Sequence, residues 1–170
     1  MMIKGIIDED FVNYKKPSMV VLFPSCTFKC EKECGKRVCQ NSALAQAPNI
    51  EIESNLEFLT ERYMNNPITE ALCFSGLDPI DDFKNMLNMG IIFRMLCDDD
   101  IVIYTGYTEE ELSEMNDDCG TYLEQIKHFL SPCVVKFGRY IPDQPSHFDE
   151  VLGVNLASNN QYAVRYENAN

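Results

Sequence analysis

The chain has 170 residues, enough for one compact domain with a single core but too few for a complete eight-fold α/β barrel. With 27 acidic against 14 basic residues its formal charge is −13, a field that repels phosphate backbones and anionic bilayers, so neither nucleic acid nor a membrane is an expected partner. Apolar residues make up 45% and charged residues 24%, an ordinary globular composition that excludes overall disorder.

The one-domain reading spans residues 1–170, because no repeat, low-complexity tract or Gly/Ser linker interrupts the chain. The opening stretch from Met1 to Asp10 is apolar only in part and soon acidic, unlike a signal peptide. Its longest apolar runs are too short to cross a bilayer, so a cytoplasmic protein is expected. Eight cysteines without an export signal point to metal binding or reduced core thiols rather than disulfides.

In chain order, the first strand is expected over Met19–Phe23, and the cysteine-dense segment Cys26 to Cys39 follows it. Ser54 with Glu57 then reads as a capping box, with Leu56, Leu59 and Tyr63 on one helical face before Asn65-Asn66-Pro67 stops the run. A second strand is expected over Ala71–Phe74. After Pro79, the residues Ile80, Phe83, Leu87 and Ile91 share a helical face, with Gly90 a weak point inside it. Asp98-Asp99-Asp100 reads as a solvated loop, since three adjacent carboxylates do not converge on one point. A third strand follows over Ile101–Tyr104.

Thr108 with Glu111 is a further capping box, opening a short acidic helix towards Met115. Tyr122, Ile126 and Phe129–Leu130 suggest a helix that stops near Pro132. Strands are expected again over Val134–Phe137 and Tyr162–Tyr166. The strands are apolar on nearly every residue, which suits a sheet covered on both faces. Their alternation with helices implies right-handed βαβ crossovers and a mainly parallel α/β sheet, either a curved partial barrel or a small open sheet.

Ligands in such folds sit beyond the C-terminal ends of the strands. The cysteine segment, Ser75–Pro79 and Thr105–Tyr107 each follow a strand and occupy those positions. Cys26, Cys30, Cys34 and Cys39 are separated by gaps of three, three and four residues. Structural zinc usually takes paired cysteines two residues apart in two knuckles, and neither His128 nor His147 has ligand-like spacing. A polynuclear iron–sulfur cluster is therefore preferred, with zinc as the alternative. Cys73, Cys97, Cys119 and Cys133 are isolated and read as small buried hydrophobes.

The segment Cys26-x3-Cys30 after an apolar strand resembles the opening of the radical S-adenosylmethionine signature, C-x3-C-x2-C. Further blocks resemble the activating enzymes of anaerobic ribonucleotide reductase within that superfamily: Asp10-Phe11-Val12-Asn13, Ser75-Gly76-Leu77-Asp78-Pro79, Tyr104-Thr105-Gly106-Tyr107-Thr108-Glu109-Glu110-Glu111-Leu112, Gly138-Arg139-Tyr140 and Ser158-Asn159-Asn160-Gln161. They run in the family's order over nearly the whole chain.

Cys34 comes one residue late for the third cysteine, whereas Cys39-Gln40-Asn41 matches the family's C-x-N. The resemblance thus implies Cys26, Cys30 and Cys39 as ligands, with Cys34 as the alternative third. Leu77 stands for a second glycine, Ser25 for the glycine before the first cysteine, and Phe137 for a frequent aspartate.

The resemblance implies a partial (β/α) barrel of the radical S-adenosylmethionine type, a 4Fe-4S cluster and S-adenosylmethionine as cofactor. The ligand would contact Ser75, Gly76, Asp78, Pro79, Tyr104, Thr105 and Gly106, with Asp78 facing its ammonium, and Asn160 and Gln161 near its adenosine. The implied partners are a glycyl-radical enzyme, namely the anaerobic ribonucleotide reductase large subunit, and a small electron donor such as flavodoxin. A non-catalytic iron–sulfur or zinc module, or a radical enzyme with another substrate, are the alternatives.

Overall fold

A computed structural model describes residues 1–53 and 55–168. Six strands form the main sheet: β1 (Gly5–Asp10), β2 (Ser18–Phe23), β3 (Ala71–Gly76), β4 (Asp100–Tyr104), β5 (Cys133–Phe137) and β6 (Tyr162–Tyr166). They lie side by side in chain order. The central four are parallel, while β1 pairs antiparallel with β2 and β6 with β5. The sheet is therefore mainly parallel, with antiparallel edges that the apolar patterning did not reveal.

An unreversed strand order has a consequence. Crossovers of one hand that always step in one direction put every connecting helix on the same face. The helices are α1 (Lys29–Cys34), α2 (Ser42–Gln46), α3 (Leu56–Leu59), α4 (Phe83–Arg94), α5 (Glu109–Glu114) and α6 (Tyr122–Leu130). Side chains alternate across each strand, so Val21, Phe74, Ile103 and Val135 meet Phe83, Met86, Phe93, Leu112 and Ile126 in the larger core. Val20, Cys73, Val102 and Val134 point the other way, against Tyr14, Leu152 and Leu156. That second face is covered by loops and by a small hairpin pairing His147–Asp149 with Val154–Leu156.

Local features depart from the expected pattern in several places. Asn55 caps α3, accepting the amide of Phe58 at 2.9 Å; Ser54 lies outside the described residues. A π-turn over Thr60–Met64 continues α3, and it buries Leu59 and Tyr63 while leaving Leu56 47% exposed. In α4 the buried face is Phe83, Met86, Met89, Gly90 and Phe93; Leu87 and Ile91 flank it. Gly90 is a point of close approach, because a Cβ there would meet Leu130 Cδ2 of α6 at 2.5 Å.

The capping box of Thr108 and Glu111 is present, and Thr121 with Glu124 forms another at the start of α6. Phe129 on α6 is exposed. Asp100 is buried rather than solvated, since the Tyr14 hydroxyl, Lys16 and Arg165 all bind its carboxylate. Among the isolated cysteines Cys73 and Cys133 are buried as expected, but Cys97 is only half-buried and Cys119 is exposed. No helix among the described residues is long and apolar enough to cross a membrane.

Candidate functional site

A cleft of about 310 Å³ opens beyond the C-terminal ends of β2 to β5. Three thiols line it, those of Cys26, Cys30 and Cys39, together with Ser75–Asp78, Tyr104–Tyr107, Lys136 and Gln161. Cys34 does not. The cysteine segment leaves β2 through an extended stretch and turns at Phe28, whose φ of 53° is left-handed, into α1. That turn aims the Phe28 amide at Cys26 Sγ, 3.2 Å away. Cys30 and Cys34 stand four residues apart on α1, and the Cys34 thiol bonds the carbonyls of Glu31 and Lys36. Cys39 is held by its own amide, which donates to Glu31 Oε1 at 3.1 Å.

Side-chain contacts fasten this segment to the elements around the strand ends. Asn41 Nδ2 donates to the Gly76 carbonyl at 2.6 Å, joining the residues after Cys39 to the turn after β3. The Thr27 amide donates to Asp81 Oδ2 at 2.6 Å, and the Tyr107 hydroxyl donates to Asp81 Oδ1. Two cations approach the Tyr107 ring, Lys29 at 4.4 Å from its centroid and Arg139 at 5.6 Å. Glu111 receives both cations, Lys29 at 3.2 Å and Arg139 at 2.6 Å. Partial burial would raise the Glu111 pKa, but the Arg139 guanidinium, the Thr108 amide and the Lys29 ammonium outweigh it and hold it at about 2.

The turn after β3 depends on Gly76. Its φ is 93°, and a Cβ would sit 2.6 Å from the Phe23 amide nitrogen, so only glycine lets β3 lie this close to β2 at its end. Leu77 is half-buried and lines the cleft rather than the core. Asp78 is 5% exposed, and its carboxylate accepts from Ile80 N, Thr105 Oγ1 and Gly106 N. It thus caps the short 3-10 turn Pro79–Asp82 and clasps the turn after β4 at once. Desolvation pushes its pKa up to about 6 despite those donors.

The remaining expected contacts divide. Ser75 and Gly76 line the cleft, as do Tyr104, Thr105 and Gly106; the Tyr104 hydroxyl reaches back to the Asn13 carbonyl. Pro79 is buried in the turn behind it. Gln161 lines the cleft, but its amide is engaged with Ala157 N, Ser158 N and the Gly138 carbonyl. Asn160 is not part of the lining and donates to the Arg139 carbonyl.

Sequence reasoning did not single out Lys29, Asp81, Glu111, Lys136 or Arg139 as site residues. The signal for Lys136 was present as one charge inside an otherwise apolar strand. Asp81 has no such signal, because its partners Thr27 and Tyr107 are distant in the chain.

The donor set suits a polynuclear iron cluster. Among the described residues no three His, Cys, Asp or Glu side chains converge to hold a single metal ion. Cys26, Cys30 and Cys39 are half-buried soft donors lining one cavity, and the Phe28 amide faces the first of them, a donor chemistry that suits iron–sulfur. Burial pushes the Cys26 thiol up to about 12 and raises Cys30, so metal loading must displace their protons.

No curated protein and no solved structure matches the chain. A family model described as a 4Fe-4S single cluster domain matches residues 17–150, from just before β2 to past the small hairpin's first strand. That span contains all three cleft thiols and the four parallel strands whose ends frame the cleft. The chain belongs to this family of 4Fe-4S single cluster domains.

Proposed function

We propose that the chain is a radical S-adenosylmethionine activase on a small partial (β/α) barrel, with Cys26, Cys30 and Cys39 as cluster ligands. The observation that carries this is convergence: the thiols, the Ser75–Asp78 turn and the Tyr104–Tyr107 turn line one cleft at the strand ends. Three protein ligands leave one iron for a substrate to bind. The implied partner is a glycyl-radical enzyme, namely the anaerobic ribonucleotide reductase large subunit, with a flavodoxin-like electron donor in the cytoplasm.

Cys26, Cys30 and Cys39 would hold the cluster, which when bound would supply the one-electron reduction that cleaves S-adenosylmethionine at its sulfonium for hydrogen abstraction from a glycine Cα. The protein's own residues position these reactants. Asn41 and Asp81 pin the cysteine segment over the strand ends. Asp78 locks the turns after β3 and β4 in register, which fixes the backbone the ligand would meet. Tyr107, buried beside Lys29 and Arg139, closes one wall against water.

The full engagement of Asp78 and Gln161 inside the protein favours a second reading, a cluster-binding module without catalysis. One anaerobic assay separates the two. Reconstituted protein given dithionite and S-adenosylmethionine should release 5′-deoxyadenosine and methionine. A loaded cluster with no cleavage product would leave the binding module standing instead.

A further inference from the structure

The segment between the second and third cleft thiols carries charges that the cleft does not use. Eight residues, Glu31 to Val38, separate Cys30 from Cys39. Lys29, Lys32, Lys36 and Arg37 place four of the chain's 14 basic residues within nine positions, on a protein whose formal charge is −13. Lys29 is engaged at the cleft wall, 3.2 Å from Glu111. The acidic residues of the segment are engaged as well: Glu31 accepts the Cys39 amide at 3.1 Å, and Glu33 lies 3.4 Å from Arg139.

Lys32, Lys36 and Arg37 are left over. All three are exposed, with no carboxylate within 4.0 Å among the described residues. Between them α1 ends at Gly35, whose φ of 67° turns the chain and where an added Cβ would meet nothing within 4 Å. The outside of the segment is therefore cationic and open to solvent, while Val38 and Cys39 at its foot line the cleft.

A cationic spot on an anionic protein attracts an acidic surface that the rest of the molecule repels, and it sets which side that surface meets. The side selected here is the outer one of the segment that bears Cys30 and Cys39. A substrate must enter the cleft, whereas an electron carrier needs only close approach to the cluster. We infer that Lys32, Lys36 and Arg37 form the docking surface for an acidic one-electron carrier protein. One electron leaves the carrier and one enters the cluster, with no bond made or broken. This role rests on the cluster reading of the cleft and not on S-adenosylmethionine as its ligand.

The test is anaerobic calorimetric titration of cluster-loaded protein with an oxidised, strongly acidic flavodoxin at about 0.01 M salt, where the screening length is about 30 Å. Reversing all three charges, Lys32→Glu with Lys36→Glu and Arg37→Glu, should weaken binding roughly 10- to 100-fold. At about 1 M salt, where the screening length falls to about 3 Å, wild type and variant should converge. In stopped flow without S-adenosylmethionine, reduction of the variant's cluster by reduced flavodoxin should slow likewise. Reduction by photoreduced deazariboflavin, a small neutral molecule, should not change. The triple alanine variant should show the same pattern with a smaller loss, and it serves if the charge-reversed protein fails to take up iron.

Equal flavodoxin affinity in wild type and variant at low salt would overturn the inference, as would a wild type that does not bind flavodoxin. Slowed reduction by both reductants alike would overturn it too, because the segment would then be holding the cluster itself. So would a wild-type dimer that the variant loses, since the cations would then meet the acidic surface of a second copy. Wild type that takes up no iron would overturn the cluster reading, and the docking role with it.

Discussion

Single residues decide how the cleft is closed. Gly76 combines a positive φ with a backbone neighbour at 2.6 Å from any added Cβ, so neither rotation nor a flexible side chain can relieve the clash. Gly76→Ala should therefore cost at least about 1–3 kcal/mol, measured as a lowered urea midpoint with an unchanged slope. Glu111 offers a test by pH. Its pKa is depressed to about 2, so its stabilisation is present above the ordinary carboxylate value and is lost as pH falls through the folded one.

At pH 6, Glu111→Gln should destabilise by about 1 kcal/mol after discounting for solvent screening, and the gap from wild type should shrink steadily below pH 4. Denaturation of both proteins at pH 6 and pH 3 measures it; a gap that persists unchanged at pH 3 contradicts the ionic account. These residue-scale features were only partly legible. Glu111 was visible as half of a capping box, yet its partners Lys29 and Arg139 are brought to it by the fold.

At the scale of elements, the strands were the most legible part. The five expected runs all became strands; in four of them residues buried on both faces leave an unbroken apolar signal, while the edge strand β6 has no buried residue and is marked by its tyrosines and valine. β1 was missed since Gly5–Asp10 is an edge strand that carries three consecutive exposed residues, Ile7, Asp8 and Glu9. The four expected helices, α3 to α6, are present but their buried faces differ from the expected ones, and the short α1 and α2 of the cysteine segment were not expected. The face of α4 is set by what packs on it, and α6 approaches at Gly90.

Gly90→Ala shows which effect prevails. Alanine gains about 1 kcal/mol of helix propensity, but overpacking against Leu130 costs about 1–3 kcal/mol. The single variant should be the less stable protein in urea, and adding Leu130→Val should restore it. In the cysteine segment, Cys39 lines the cleft and precedes the Asn41 anchor, whereas Cys34 faces the carbonyls of Glu31 and Lys36. Cys34→Ala should keep bound iron and Cys26→Ala, Cys30→Ala and Cys39→Ala should each lose it, as read from cluster absorbance after anaerobic reconstitution.

For the whole molecule, strand order organises everything else. Four parallel strands in unreversed order carry α3 to α6 on one face and leave the opposite face to a hairpin and loops. The strand ends on that open side become polar, with Ser75, Tyr104 and Lys136 replacing the apolar residues below them. This is why segments distant in sequence assemble into one site, and why motif order along the chain pointed to it. The cross-links that hold the site, Asp81 to Thr27 and Asn41 to Gly76, depend on tertiary approach and leave no periodic trace.

The account stands on the cleft holding one iron–sulfur cluster through its three thiols. Iron, sulfide and zinc analysis of anaerobically reconstituted protein tests this most directly. The account requires four iron and four sulfide per chain, as in a single 4Fe-4S cluster, and no zinc. Stoichiometric zinc without iron would contradict it.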